Sequence, residues 1–188
     1  MPTYELVHDE SIMQGDIIFD MPVPFITEVP KFPIVKGQKL PTEILSYNAI
    51  VISQSCDLEL SKIDSVLVAE LIDWPLQEMQ QKIGKNNKDW IKTRKEIAQG
   101  KRPGYSLLPP HESNPKLPWT VVQYKNIRTV NLSYLKSYIK STGCTRLRVS
   151  SPLREYLSQS VGFFFMRVGL PDSIDFSDFE NASWNSFK

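Results

Sequence analysis

Residues 47–58 read Tyr47-Asn48-Ala49-Ile50-Val51-Ile52-Ser53-Gln54-Ser55-Cys56-Asp57-Leu58, and residues 65–74 read Ser65-Val66-Leu67-Val68-Ala69-Glu70-Leu71-Ile72-Asp73-Trp74. Each holds an apolar run that is rich in Val and Ile and too short for a helix, which predicts two buried strands. The polar segment between them, 53–64, is too long for a tight hairpin turn. The pair is expected at the centre of the sheet. Ser53, Ser55, Cys56 and Asp57 gather at the end of the first strand and form one candidate site.

Around this pair the chain has 188 residues, enough for one good-sized core with material left over. A hydrophobic content of 41% and a charged content of 23% fit an ordinary soluble globular protein. No apolar run approaches the roughly 20 residues of a membrane span, and the first residues lack the basic and apolar regions of a secretory leader. A cytoplasmic protein is expected. Its two cysteines, Cys56 and Cys144, and two histidines, His8 and His111, have no metal-ligand spacing, and no Gly-rich phosphate loop is present. No metal or cofactor is expected.

The net charge of +1 conceals segregation. Residues 113–154 contain no Asp or Glu but hold Lys116, Lys125, Arg128, Lys136, Lys140, Arg146, Arg148 and Arg154, whereas acids gather near both ends. A basic middle suits a phosphate backbone or an acidic protein surface; it also suits a solvated face paired with the acidic ends.

In chain order, Gly15 opens a short strand at 16–20, and the five prolines of 21–41 predict a long loop or ragged edge ribbon. Residues 76–100 read as a helical insertion of two helices, about 76–83 and 88–99. A proline-marked loop over 103–118 precedes short strands at 119–124 and 126–130. A short helix is expected over 131–139, and 146–149 reads as a further strand or a link. The final helix starts after Ser151 and carries Leu153, Leu157, Val161, Phe164, Phe165 and Val168 as one apolar stripe. An acidic, aromatic tail, 172–188, follows the domain at 1–171. Its acids are expected to lie across the basic middle until a partner displaces them.

In this order, Gln14-Gly15-Asp16-Ile17-Ile18, Ala49-Ile50-Val51-Ile52-Ser53, and Asn126-Ile127-Arg128-Thr129-Val130-Asn131 with the helix after Ser151 resemble the PemK/MazF family of bacterial toxin barrels. The likeness covers about half the chain, in pieces. It implies an α+β fold: a small SH3-like β-barrel with a helical insertion and a C-terminal helix. It also implies frequent dimerisation and, for most members, metal-independent RNA cleavage. The toxins place an arginine and a proline just before the second strand, where this chain has Tyr47 and Asn48. Near the end of the third strand they place a serine or threonine, where it has Glu70, Leu71 and Asp73. Their catalytic residues therefore do not carry over.

Candidate binding residues are Arg128 and Arg148, which alternate with apolar neighbours and are expected to face away from the core, together with Arg146, Lys125, Tyr124 and Trp119. The expected function is a non-catalytic, MazF-like barrel. It would bind a macromolecule as a regulatory or adaptor subunit of a bacterial toxin, defence or transcription-control cassette. A metal-independent, sequence-specific endoribonuclease is the alternative, and a cysteine enzyme built on Cys56 is a third reading. A protein partner is expected first, RNA and a second copy after it, and no membrane.

Overall fold

The computed structural model describes residues 2–29, 31–60, 62–74, 88–143 and 145–166. Seven strands form one antiparallel sheet: β1 (Tyr4–Val7), β2 (Asp16–Ile26), β3 (Thr42–Val51), β4 (Ser65–Asp73), β5 (Tyr105–Leu108), β6 (Thr120–Asn131) and β7 (Arg146–Val149). Their spatial order is β1-β7-β2-β3-β4-β6-β5. Four helices accompany them among the described residues: α1 (Ser55–Glu59), α2 (Lys88–Ala98), α3 (Leu132–Thr142) and α4 (Leu153–Met166).

The 47–74 pair is the middle of this sheet, with Ala49 opposite Glu70 and Val51 opposite Val68. Side chains alternate across the strands. Ile50 and Ile52 pack with Ile17, Val122, Tyr124 and Leu147 on one face, while Ala49 and Val51 pack with Ile18, Met21, Val66 and Val68 on the other. Leu157, Val161 and Phe164 of α4 cover the first face, and Leu132, Leu135 and Ile139 of α3 cover the second. Burial on both faces is why these strands read as unbroken apolar runs. The Asn131 side chain caps α3 by accepting from the Ser133 and Tyr134 amides, and Gly143, left-handed at φ 54°, ends it. Gly15, at φ 87°, turns into β2 so close to β7 that an added Cβ would meet Val149 at 3.3 Å.

Several expectations change. The first part of the proline stretch is strand: β2 runs to Ile26 and pairs with β3 as far as Thr42, so Pro22 and Pro24 lie within a ladder. The two strands expected at 119–124 and 126–130 are one, β6 (Thr120–Asn131), interrupted where three of its residues, 124–126, have no opposite in β4. The loop at 103–118 contains β5, and the chain start contributes β1. Of the insertion, α2 is described; the helix expected over 76–83 and the tail at 172–188 lie outside the described residues.

The sheet does not close by backbone pairing: β1 and β5 are its two edges. They meet through side chains instead. The Tyr4 hydroxyl donates to the Pro109 carbonyl at 2.6 Å, and its ring meets His111 edge-on at 5.6 Å.

Arg146 and Arg148 are buried in the structure, which corrects the outward orientation expected for Arg148. Strand β7 lies between β1 and β2 and every residue of it is covered, so alternation has no solvent side there. Both guanidinium groups converge on the buried carboxylate of Asp16: Arg146 Nε lies 3.0 Å from Oδ2 and Arg148 Nε 2.5 Å from Oδ1. The Asp9 and Ser11 carbonyls accept further bonds from Arg146. This cluster fixes β7 against β2 and leaves neither arginine for a ligand.

Candidate anion-binding site

Two irregularities of the sheet create one site. Between Ile18 and Met21, β2 carries Phe19 and Asp20 opposite the single residue Asn48. Asp20 takes a positive φ of 48°, and its amide donates to Asn48 Oδ1 at 3.0 Å. Tyr138 of α3 donates its hydroxyl to the carbonyls of Phe19 and Asp20. A bulge of this kind bends its strand and increases the local twist.

The bend is large. Phe25 stands opposite Glu43, whereas Arg128 stands opposite Val68, which in turn opposes Val51. From Glu43 to Val51 a flat strand would span about 26 Å at 3.3 Å per residue. Yet the Arg128 guanidinium carbon lies 4.1 Å from the centre of the Phe25 ring. The outer half of the β2–β3 ribbon therefore curls back across the face that α3 covers, and Arg128 reaches under it.

Arg128 also lies 5.6 Å from the centre of the Tyr47 ring, so two aromatic faces shelve its charge. Its Nε and the Tyr47 hydroxyl are both buried, and neither has a hydrogen-bond partner among the described residues. Nor does any described carboxylate form an ion pair with Arg128. Burial raises the Tyr47 phenol above its ordinary value; the positive charge of Arg128 opposes that shift and the negative charge of Glu70 adds to it. Glu70 is held in turn: Asn126, in the three-residue bulge of β6, donates to its Oε2 at 2.6 Å and to Gln123 Oε1 at 2.8 Å. Buried polar atoms without partners are rare in folded proteins and call for an explanation. Arg128 Nε and the Tyr47 hydroxyl are two such donors, one of them cationic, on neighbouring side chains.

The remaining sequence candidates lie elsewhere. Tyr124 is in the core and donates to Ser106 Oγ. Lys125 stands over the Tyr105 ring at 5.8 Å. Trp119 is 49% exposed and, with Trp74, Arg94 and Ile97, lines a cavity of about 270 Å³. At the strand-end turn, Ser53 Oγ accepts from the Leu67 amide and Ser55 Oγ from the Gln14 amide, so both serve the backbone. Cys56 is exposed, and the polar contacts of its thiol are Gln54 and Asp57, with no cation or imidazole beside it among the described residues. His8 contacts Thr145 and His111 contacts Tyr4. Among the described residues no group of His, Cys, Asp and Glu is placed to hold a metal ion.

Sequence reasoning selected Arg128 but missed Phe25, Tyr47 and Glu70 as its companions. No family model matches the chain, and no curated protein shows significant similarity to it. Among the described residues no helix is long and apolar enough to cross a membrane.

Proposed function

We propose that the chain is a MazF/PemK-type barrel that serves as a binding subunit, gripping a phosphate of single-stranded RNA at Arg128 without cutting it. One observation carries this reading: the Arg128 guanidinium rests between Phe25 and Tyr47 with no described carboxylate in an ion pair with it. An oxyanion bound there gains charge-assisted hydrogen bonds and also satisfies the Tyr47 hydroxyl. Aromatic rings beside a cation suit a phosphate flanked by a base. The barrel assignment draws support from the curled ribbon and from the contact between the sheet edges at Tyr4 and Pro109.

Cutting RNA through its 2′-hydroxyl takes a base, an acid and enough positive charge to steady the phosphorane. Arg128 is a single cation, and the histidines are engaged with Thr145 and Tyr4. A regulatory or adaptor role in a toxin, defence or transcription-control cassette follows from a toxin-like scaffold with this reduced set.

Endoribonuclease activity is the second reading. It is favoured by the charges of Glu70 and Arg128 both acting on Tyr47, which brings a base and a cation to one place. Incubation with labelled long single-stranded RNA in EDTA separates the two. The binding reading expects retained full-length RNA and loss of binding in Arg128→Ala. Specific fragments that disappear in Arg128→Ala and Glu70→Gln would replace it with the nuclease, and binding unchanged in Arg128→Ala would remove the site.

A further inference from the structure

Strand β4 keeps its alternation past the bulge of β6, so Val68, Glu70, Ile72 and Trp74 line one face of the sheet. Opposite the first three stand Arg128, Gln123 and Val121 of β6. The Trp74 amide donates to the Trp119 carbonyl at 3.0 Å, which carries the same register on to Trp119. Arg128 and Trp119 therefore belong to one face, about 20 Å apart along β4.

At the Trp119 end, α2 stands over the sheet without filling the space beneath it. Ile97 is buried and anchors the helix, and Trp90 stacks on Trp74 with ring centres 4.6 Å apart and planes 14° from parallel. Leu107 and Val121 of the sheet, with Trp74, Trp119 and Arg94, line the cavity of about 270 Å³ that remains. Protein interiors leave few voids larger than a water molecule, so a space of this size is more than loose packing. It falls just short of the roughly 300–1,000 Å³ of drug-sized ligand pockets, which suits one ring system rather than an extended cofactor. Three of the chain's four tryptophans meet here. Trp74 and Trp90 cover each other, whereas Trp119 has no ring stacked on it among the described residues and is 49% exposed.

We propose that this cavity holds a base of the single-stranded RNA whose phosphate rests at Arg128, with the base lying against Trp119. The inference rests on the RNA reading of Arg128 and adds to it a second contact and a minimum length. An indole face takes any flat π-system, and Leu107 and Val121 keep water from beneath it. An aromatic peptide side chain would stack there too, but the phosphate-binding cation on the same face favours a nucleotide strand. The span exceeds a dinucleotide and falls within the roughly 4–16 nucleotides that small single-strand-binding domains cover. Glu70 lies between the two contacts with its carboxylate bonded to Asn126. It repels phosphate, so the strand passes it with a ribose hydroxyl, whose proton a carboxylate accepts.

Fluorescence anisotropy on the full chain tests this with two labelled strands of equal charge, an oligoadenylate of about eight nucleotides and an abasic ribose-phosphate strand of the same length. Wild type is expected to bind the oligoadenylate more tightly. Trp119→Ala should weaken oligoadenylate binding about 5- to 150-fold, the range for one stacked base, and leave the abasic strand unchanged. Trp119→Leu fills the position without a ring face and should behave alike, which guards against loss of fold. Trp119→Phe should retain most of the affinity, and Arg128→Ala should weaken both strands. Equal affinity of wild type for the two strands, or Trp119→Ala and Trp119→Leu proteins that lose both strands alike, overturns the proposal. Oligoadenylate binding that depends on Arg128 but not on Trp119 strikes this inference and leaves the Arg128 reading standing. Dependence on Trp119 but not on Arg128 does the reverse, and a wild type that binds neither strand ends both.

Discussion

Tyr4 and Pro109 join the two outer edges of the sheet by a 2.6 Å hydrogen bond across 105 residues of chain. Burial raises the Tyr4 phenol above the ordinary tyrosine range, so this hydroxyl stays a donor at any physiological pH. Tyr4→Phe keeps the ring against His111 but leaves the Pro109 carbonyl unpaired. A loss of about 1–2 kcal/mol is expected in urea denaturation. An unchanged midpoint would mean that the edges are held by apolar contact alone.

Asp16 should be the least replaceable carboxylate. Its two oxygens serve the buried guanidinium groups of Arg146 and Arg148, and Asp16→Asn keeps the shape while removing the charge. Arg148 would then lose its ion-pair partner and Arg146 would keep only the exposed Asp9 at 3.5 Å, and a cost of about 3–5 kcal/mol is expected in chemical denaturation. Arg148→Met should cost less, because Arg146 still balances Asp16.

Alkaline unfolding should show a tyrosine signature. Burial pushes the Tyr124 phenol up to about 12 from 10.0, with its bond to Ser106 opposing the shift. The folded-state value lies above the unfolded one, so the stability it confers is complete below pH 10 and lost as pH rises from 10 through about 12. The amount at stake is about 3 kcal/mol. Tyr124→Phe should flatten that part of the curve, followed as thermal midpoint against pH, and cost about 1 kcal/mol at neutral pH because buried Ser106 loses its donor.

Arg128 should behave as a functional residue rather than a structural one. Its stacking on Phe25 and Tyr47 is worth about 1 kcal/mol, and its unpartnered Nε costs a comparable amount. Arg128→Met should therefore unfold within about 1 kcal/mol of wild type while RNA binding is lost. Arg128→Lys should not rescue binding, because an ammonium lacks the planar fork that stacks and bonds at once. A strongly destabilised Arg128→Met would recast the residue as part of the core.

Much of the fold was legible where pattern and environment agree. The 47–74 pair, the helix that Asn131 caps and the helix after Ser151 each carry a local signal of burial, cap or stripe. What escaped was set by distant partners. Pro22 and Pro24 read as loop, yet they sit comfortably in a strand because their missing donors face away from β3. Arg146 and Arg148 alternate like surface residues, but Asp16, more than 120 positions earlier, makes their burial tolerable. Arg128 was readable as a cation, although not its orientation, which is on the core face of Val68 and Val130 rather than away from it. Its aromatic shelf was not, because Phe25 reaches it only through the bend at Phe19 and Asp20.

The place of β7 bears on how the molecule is made. Among the described residues strand β1 has no ladder partner other than residues 146–149, and two of these, Leu147 and Arg148, also pair with β2 at Ile17 and Asp16. While the chain is still emerging from a ribosome, its first strand has nothing to dock on and a carboxylate waits without its cations. Synthesis must pass residue 149 before the amino-terminal end can be sewn in. Fragments ending earlier should present a frayed start to proteases, however well the central strands have already come together.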